Sequence, residues 1–317
     1  MPARDPATGP VRVAFLGNDA WSVPSLRALA ASEHAVTLVV TAAPKPAGRG
    51  NRPTPTAVAM AARDLGLPFV EVETVRSGDG LDRLIAAAPD IVAVVAYGEL
   101  LPPAVLELPA VAPVNLHFSL LPQLRGATPV QTALLEGMER TGVTTIVMDH
   151  GLDTGPILRQ REAPIAPEDD AGTLGARLAE IGGELLVETI TMLATAAVTP
   201  RPQEPAGATF APKLGPERRG LEWTRPAREL VNLCRALSPD PGARTLFRGS
   251  ALKVLRAAAV ERVGEPGTIV SVDREGIVVA TGRGGFRPLD VVPAGRARMS
   301  GADLVNGLRP EVGERLG

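Results

Sequence analysis

An amide, an imidazole and a carboxylate form a minimal kit for moving an acyl group between nucleophiles, and this chain carries all three close together. Asn115 and His117 stand two residues apart after the apolar pair Pro113-Val114. In an extended segment that spacing puts both side chains on one face, within reach of one reacting carbonyl. The amide can donate to a developing oxyanion, and the imidazole can handle a proton. Asp153 follows in Gly151-Leu152-Asp153-Thr154-Gly155, after the apolar run Val143 to Met148. Glycine on either side lets the backbone turn tightly and deliver a carboxylate able to set the charge state of the imidazole. Each residue also has a structural reading. Asn115 can serve as a strand-end amide bonded to backbone, His117 as a structural histidine, and Asp153 as a turn residue.

Apolar runs predict the elements that must position these groups. Strands are expected at Val11–Leu16, Ala35–Thr41, Phe69–Val70, Ile91–Ala96, Ala112–Leu116, Thr144–Met148 and Ile157–Glu162. Helical spacing falls between them, at Ser25–Ala31, Pro55–Leu65, Leu81–Ala88, Thr128–Glu136 and Thr173–Ala194. Alternation of this kind, in strands without strict period two, predicts an α/β fold. Its sheet is Rossmann-like and mostly parallel, with helices on both faces. Ligands in such folds bind beyond the carboxyl ends of the strands, where both Ala96-Tyr97-Gly98 and Asn115–His117 fall. A dinucleotide site is excluded, because no Gly-x-Gly-x-x-Gly follows the first strand. His34, between a helix and a strand, reads as a surface connection.

Residues 199–212 are dense in proline and small residues and read as a linker. Beyond them come one helix, Pro226–Leu237, and short strand patterns at Thr245–Phe247, Leu252–Val254, Gly267–Val272, Gly276–Ala280 and Phe286–Val292. Short strands parted by glycine and charged turns predict a small β-barrel. The expected organisation is therefore a catalytic domain over 1–198, a linker over 199–212 and a second domain over 213–317.

Composition narrows the function classes. With 45% hydrophobic and 21% charged residues, the chain has the make-up of a folded globular protein rather than a disordered one. The single cysteine, Cys234, excludes an internal disulfide framework and a multi-cysteine metal site, and its apolar helical neighbours make it a core residue. No signal-peptide pattern precedes Val11 and no apolar run reaches a membrane span, so a cytoplasmic enzyme is expected. The net charge of −2 hides an asymmetry. Residues 1–212 carry −8 and residues 213–317 carry +6. A basic second domain joined to an acidic catalytic half fits contact with a polyanion.

The order of motifs along the chain carries more. Asn115-x-His117-x-Ser119-Leu120-Leu121-Pro122-x-x-Arg125-Gly126-x-x-Pro129-Val130-Gln131 is followed by Thr141-Gly142-Val143-Thr144, and then by Met148-Asp149-x-Gly151-Leu152-Asp153-Thr154-Gly155. This set resembles the folate-dependent formyltransferases. The resemblance extends through Pro46-Ala47-Gly48-Arg49-Gly50, Val94–Gly98, Leu221-Glu222-Trp223 and Pro266–Ile269, so it covers nearly the whole chain. It implies an OB-like form for the C-terminal barrel. It also implies transfer of a formyl group from 10-formyltetrahydrofolate, as co-substrate, to the α-amino group of methionyl initiator tRNA. Asn115, His117 and Asp153 are then the catalytic residues, and no metal is required. The folate groove is expected along Tyr97, Gly98, Glu99 and Leu100 and the segment Asp149–Asp153, with Ser119, Leu120, Leu121 and Pro122 as pocket and turn. His150 falls where the family pattern is variable and reads as a spectator.

The loop Pro44–Pro53 carries Lys45, Arg49 and Arg52 among proline and glycine. Composition alone makes it a solvated surface loop. The resemblance implies that it reaches the tRNA acceptor end, with these three cations meeting phosphates. The chain departs from the family pattern at Asn51, at Gln123-Leu124 and at Ser238–Pro241, where lysine, a basic residue with tryptophan, and Pro-Trp-Pro are usual. Aromatic residues make up only 3%, so stacking on bases is expected to be sparse. A sugar-nucleotide N-formyltransferase shares the Asn-x-His and Asp core. The Ala-Gly-Arg-Gly loop and the basic C-terminal part stand against it. A glycinamide ribonucleotide formyltransferase is shorter and lacks residues 213–317. A non-catalytic RNA-binding protein would have lost at least one of the three site residues. A monomer that does not associate with membranes is expected.

Overall fold

A computed structural model describes residues 10–47 and 52–317. They form two compact units. One comprises the chain up to Ala127 with Arg140–Pro164 and Gly175–Ala211. The other comprises Thr128–Glu139, Ile165–Leu174 and Pro212–Gly317.

The first unit holds β1 (Arg12–Gly17), β2 (Ala35–Ala42), β3 (Lys45–Ala47), β4 (Arg52–Thr54), β5 (Phe69–Val72), β6 (Ile91–Val95), β7 (Ala112–His117), β8 (Arg140–Val147) and β9 (Ile157–Pro164). Its helices are α1 (Val23–Ala30), α2 (Ala57–Asp64), α3 (Gly78–Ala86) and the short α4 (Pro103–Leu106). Seven strands make one sheet in the order β5-β2-β1-β6-β7-β8-β9. The first five run parallel, as expected for apolar runs buried on both sides. Strand β8 alone is reversed, pairing antiparallel with both neighbours: His117 of β7 lies opposite Thr144, and Arg140 opposite Pro164 of β9. β1 has β2 on one side and β6 on the other, so the order reverses beside it. That is the switch point where such sheets open a crevice.

Ala14, Leu16, Val92 and Val94 pack on one face with Leu84 of α3 and Val105 of α4. Beyond α5 (Pro129–Leu135) comes the long helix α6 (Ala171–Ala194). It lies against β7 so closely that a Cβ on Gly182 would stand 2.7 Å from the Leu116 side chain. His34 corrects an expectation. It is buried rather than a surface connection, with Nε2 2.9 Å from the Thr191 hydroxyl of α6. Burial holds its pKa below the usual histidine value, with nearby Glu33 opposing. A helix remote in sequence covers it, which no local pattern reveals.

In the second unit α7 (Ala227–Leu237) packs on an antiparallel sheet of β10 (Ala243–Phe247), β11 (Ser250–Val260), β12 (Ile269–Asp273), β13 (Gly276–Ala280) and β14 (Gly285–Pro293). Its order is β10-β11-β14-β13-β12, with β15 (Met299–Ser300) added to β14. The chain end joins the two edges. Ile269 N donates to Glu314 O, Leu316 N to Gly267 O and Gly317 N to Leu246 O. The predicted barrel is thus closed by a segment too short to read as a strand. Its core includes Trp223 edge-on to Phe286, together with Leu230, Leu233 and Cys234. Burial pushes the Cys234 thiol well above its ordinary range. The final helix α8 (Gly301–Leu308) went unpredicted, although Ser300 and Asp303 form a capping box that marks its start. No helix among the described residues is long and apolar enough to cross a membrane.

Candidate active site

His117 ends β7 and is almost fully buried. Its Nε2 lies 2.9 Å from the carbonyl of Leu124. A carbonyl only accepts, so Nε2 carries the proton and Nδ1 is the nitrogen left for chemistry. Asp153 Oδ2 stands 3.6 Å from that Nδ1. The same oxygen accepts from Gly126 N at 2.8 Å, which fixes the carboxylate on the imidazole side. Asn115 lies two residues back on the strand and is only partly buried. Among the described residues its side chain makes no hydrogen bond, so its amide donors remain available. The structure therefore brings His117 and Asp153 together and holds Asn115 on the same strand.

The loop after His117 is built to hold Leu124 in place. Ser119 Oγ donates to Gln123 O at 2.6 Å, and Thr144 Oγ donates to Ser119 O at 2.6 Å. Gln160 Nε2 donates to Leu121 O at 2.8 Å. Leu124 and Asp153 both adopt left-handed backbone angles, φ +59° and +54°. Side chains other than glycine's resist that region by roughly 1–2 kcal/mol each, so surrounding bonds must enforce it.

At the switch point Asn18 joins three strand ends. Its amide donates to Tyr97 O, while its Oδ1 accepts from Ala42 N at 2.7 Å and from the Thr41 hydroxyl at 3.1 Å. Sequence reading passed over Asn18, and its position just after Gly17 of β1 was the available signal. Tyr97 is buried, and burial, then Glu99 beside it, push its phenol up. The Glu99 carboxylate is turned to the Thr74 hydroxyl and Val75 N, while Leu100 is exposed. Gly98 sits at φ +81° with open space where a Cβ would point. Leu121 is buried, Leu120 and Pro122 only partly so.

Lys45 and Arg52 are exposed on the β3–β4 hairpin, where Ala47 pairs with Arg52 and Lys45 with Thr54. Arg49 lies outside the described residues. His150 is exposed, and Asp149 beside it caps its own turn by accepting from Gly151 N and the Thr154 hydroxyl. No group of three or more His, Cys, Asp or Glu suited to a metal occurs among the described residues.

Two family models match the chain: formyl transferase over residues 11–190, and formyl transferase, C-terminal domain, over 213–309. They define the class, an enzyme that transfers formyl groups. Among relatives, a methionyl-tRNA formyltransferase of Thermus thermophilus is 44% identical over 307 residues, covering 97% of this chain and 99% of its own. That of Pelotomaculum thermopropionicum is 40% identical over 310 residues, with coverage of 97% and 99%. The chain belongs to the methionyl-tRNA formyltransferase family. Solved structures agree in fold. HypX from Aquifex aeolicus in complex with tetrahydrofolic acid superposes with a TM-score of 0.63 at 17% identity, over 96% of this chain and 48% of that one. The sugar 3N-formyl transferase WlaRD gives 0.65 at 15%, over 89% and 97%.

Proposed function

We propose that this enzyme transfers the formyl group of 10-formyltetrahydrofolate directly to the α-amino group of methionyl initiator tRNA in the cytoplasm. The observation that carries the reading is the pairing of His117 Nδ1 with Asp153 beside an uncommitted Asn115 amide, in a chain 40–44% identical to methionyl-tRNA formyltransferases. The donor is an activated formyl amide. In the net reaction the attacking amine nitrogen gives up one proton and the departing folate N10 gains one. The site therefore has one proton to move and one oxyanion to stabilise. Asn115 donates to the oxyanion of the tetrahedral intermediate. His117 Nδ1 takes the amine proton, adds a second donor to the oxyanion once protonated, and releases the proton to N10. Asp153 stabilises the imidazolium while it exists. Among the described residues nothing bonds the Asn115 side chain, which leaves its amide donors for the oxyanion.

The catalytic domain is assigned to residues 1–198, with 199–212 leading to a tRNA-binding domain over 213–317. The pteridine groove is assigned to Tyr97–Leu100 with Ser119–Pro122, and acceptor-end phosphates to Lys45, Arg49 and Arg52. Cross-strand Arg244 and Lys253 support a polyanion partner for the second domain. They face one another on β10 and β11 and have no ion pair among the described residues. The enzyme is assigned as a monomer. The test compares methionyl initiator tRNA, methionyl elongator tRNA and an amino-sugar nucleotide as acceptors. Transfer to the initiator alone is expected. Transfer to the sugar instead would overturn the acceptor assignment while leaving the chemistry in place.

A further inference from the structure

Gln203 lies in the proline-rich stretch after the catalytic fold and uses all of its hydrogen-bonding capacity on the active site. Its Nε2 donates to the carbonyls of Asp153 and Gly155, each at 2.8 Å. Its Oε1 accepts from Arg125 Nε at 3.1 Å and Nη2 at 2.7 Å. The orientation of the amide is fixed by chemistry, since guanidinium groups only donate and carbonyls only accept. Arg125 is itself buried and clamped by the same stretch. Its N donates to Thr209 O at 2.9 Å, and its carbonyl accepts from Ala211 N at 2.7 Å. The neighbouring Leu124 N donates to the Thr209 hydroxyl at 2.8 Å.

These bonds meet at the two places that define the pair. Leu124 supplies the carbonyl that orients His117, and Gly126 supplies the N–H that holds the Asp153 carboxylate. Gln203 ties the backbone of Asp153, held at φ +54°, to the residue between them. We infer that Gln203 is a positioning residue for formyl transfer, keeping Asp153 at its station beside His117 by locking the 153–155 turn to Arg125. The inference rests on the reading of Asp153 as part of the reacting site. The Gln203 amide bonds only to Arg125, Asp153 and Gly155 among the described residues, so its removal is expected to alter the rate of the chemical step without weakening binding.

The test uses Gln203→Glu and Gln203→Ala in the full-length enzyme. Glutamate keeps the size and the partnership with Arg125 and replaces only the donor amide, so it isolates the link to Asp153. It also carries the test should the alanine variant fail to fold. Both variants are expected to lower kcat roughly 10²-fold, the scale of a misplaced catalytic group, with both KM values unchanged. On an Asp153→Asn background Gln203→Glu should cost no more than about threefold, because residues that act as one unit are not additive. A wild-type rate for Gln203→Glu would overturn the inference. So would the full loss repeated on the Asp153→Asn background, which marks a separate structural effect. If Asp153→Asn alone transferred formyl at the wild-type rate, the site reading would fall, and the inference with it.

Discussion

Asn115→Ala is expected to lower kcat for formyl transfer by roughly two to three orders of magnitude, the usual cost of removing one oxyanion donor. The variant should leave KM for both substrates within about a factor of two, because an oxyanion donor acts only in the transition state. The same change should barely move Tm. The Asn115 side chain is partly exposed and bonds to nothing among the described residues, so its removal leaves no buried group unsatisfied. Activity and stability are therefore expected to separate at this position. Steady-state kinetics beside a thermal melt checks both halves. A variant that loses stability and activity together would make Asn115 structural.

Asp153→Asn is expected to lower kcat roughly 10²-fold while the turn keeps its shape. The amide oxygen can still accept from Gly126 N, so geometry is preserved and only charge is lost. Two opposite unit charges about 4 Å apart attract by roughly 4 kcal/mol at an effective dielectric of 20. In full that would be nearly three orders of magnitude in rate. The Asp153 side chain is 16% exposed, and solvent screening brings the expected deficit down toward the lower figure. Rapid-quench single-turnover rates with saturating donor read this directly. A deficit below about threefold would mean that no charge develops on the imidazole.

Much of this was legible because it is local. The Asn115–His117 spacing needs only the alternation of a strand, and the Asp153 turn needs only its flanking glycines. The strand runs of the first unit and helix α7 fell within a few residues of their observed bounds, since their apolar spacing coincides with burial. What sequence could not show is backbone chemistry. The carbonyl of Leu124 and the N–H of Gly126 orient the pair, yet every residue has such groups and no side chain announces which are used. The reversed direction of β8 was hidden for a related reason. Strand direction lies in the connections, not in the apolar character of Thr144–Met148. His34 failed differently, because its cover comes from Thr191, far along the chain. The stretch 199–212 reads as a linker by composition, and only the partners of Gln203 and Thr209 show it bonded to the catalytic loop.

His117 is the residue on which the proposed proton transfer depends. The decisive measurement is the single-turnover rate of formyl transfer from 10-formyltetrahydrofolate to methionyl initiator tRNA by His117→Ala, with donor binding measured separately. The expected rate is lower by roughly two to four orders of magnitude with donor affinity preserved, as for loss of a group that moves the proton. Transfer within about threefold of wild type would contradict it and remove the imidazole from the reaction.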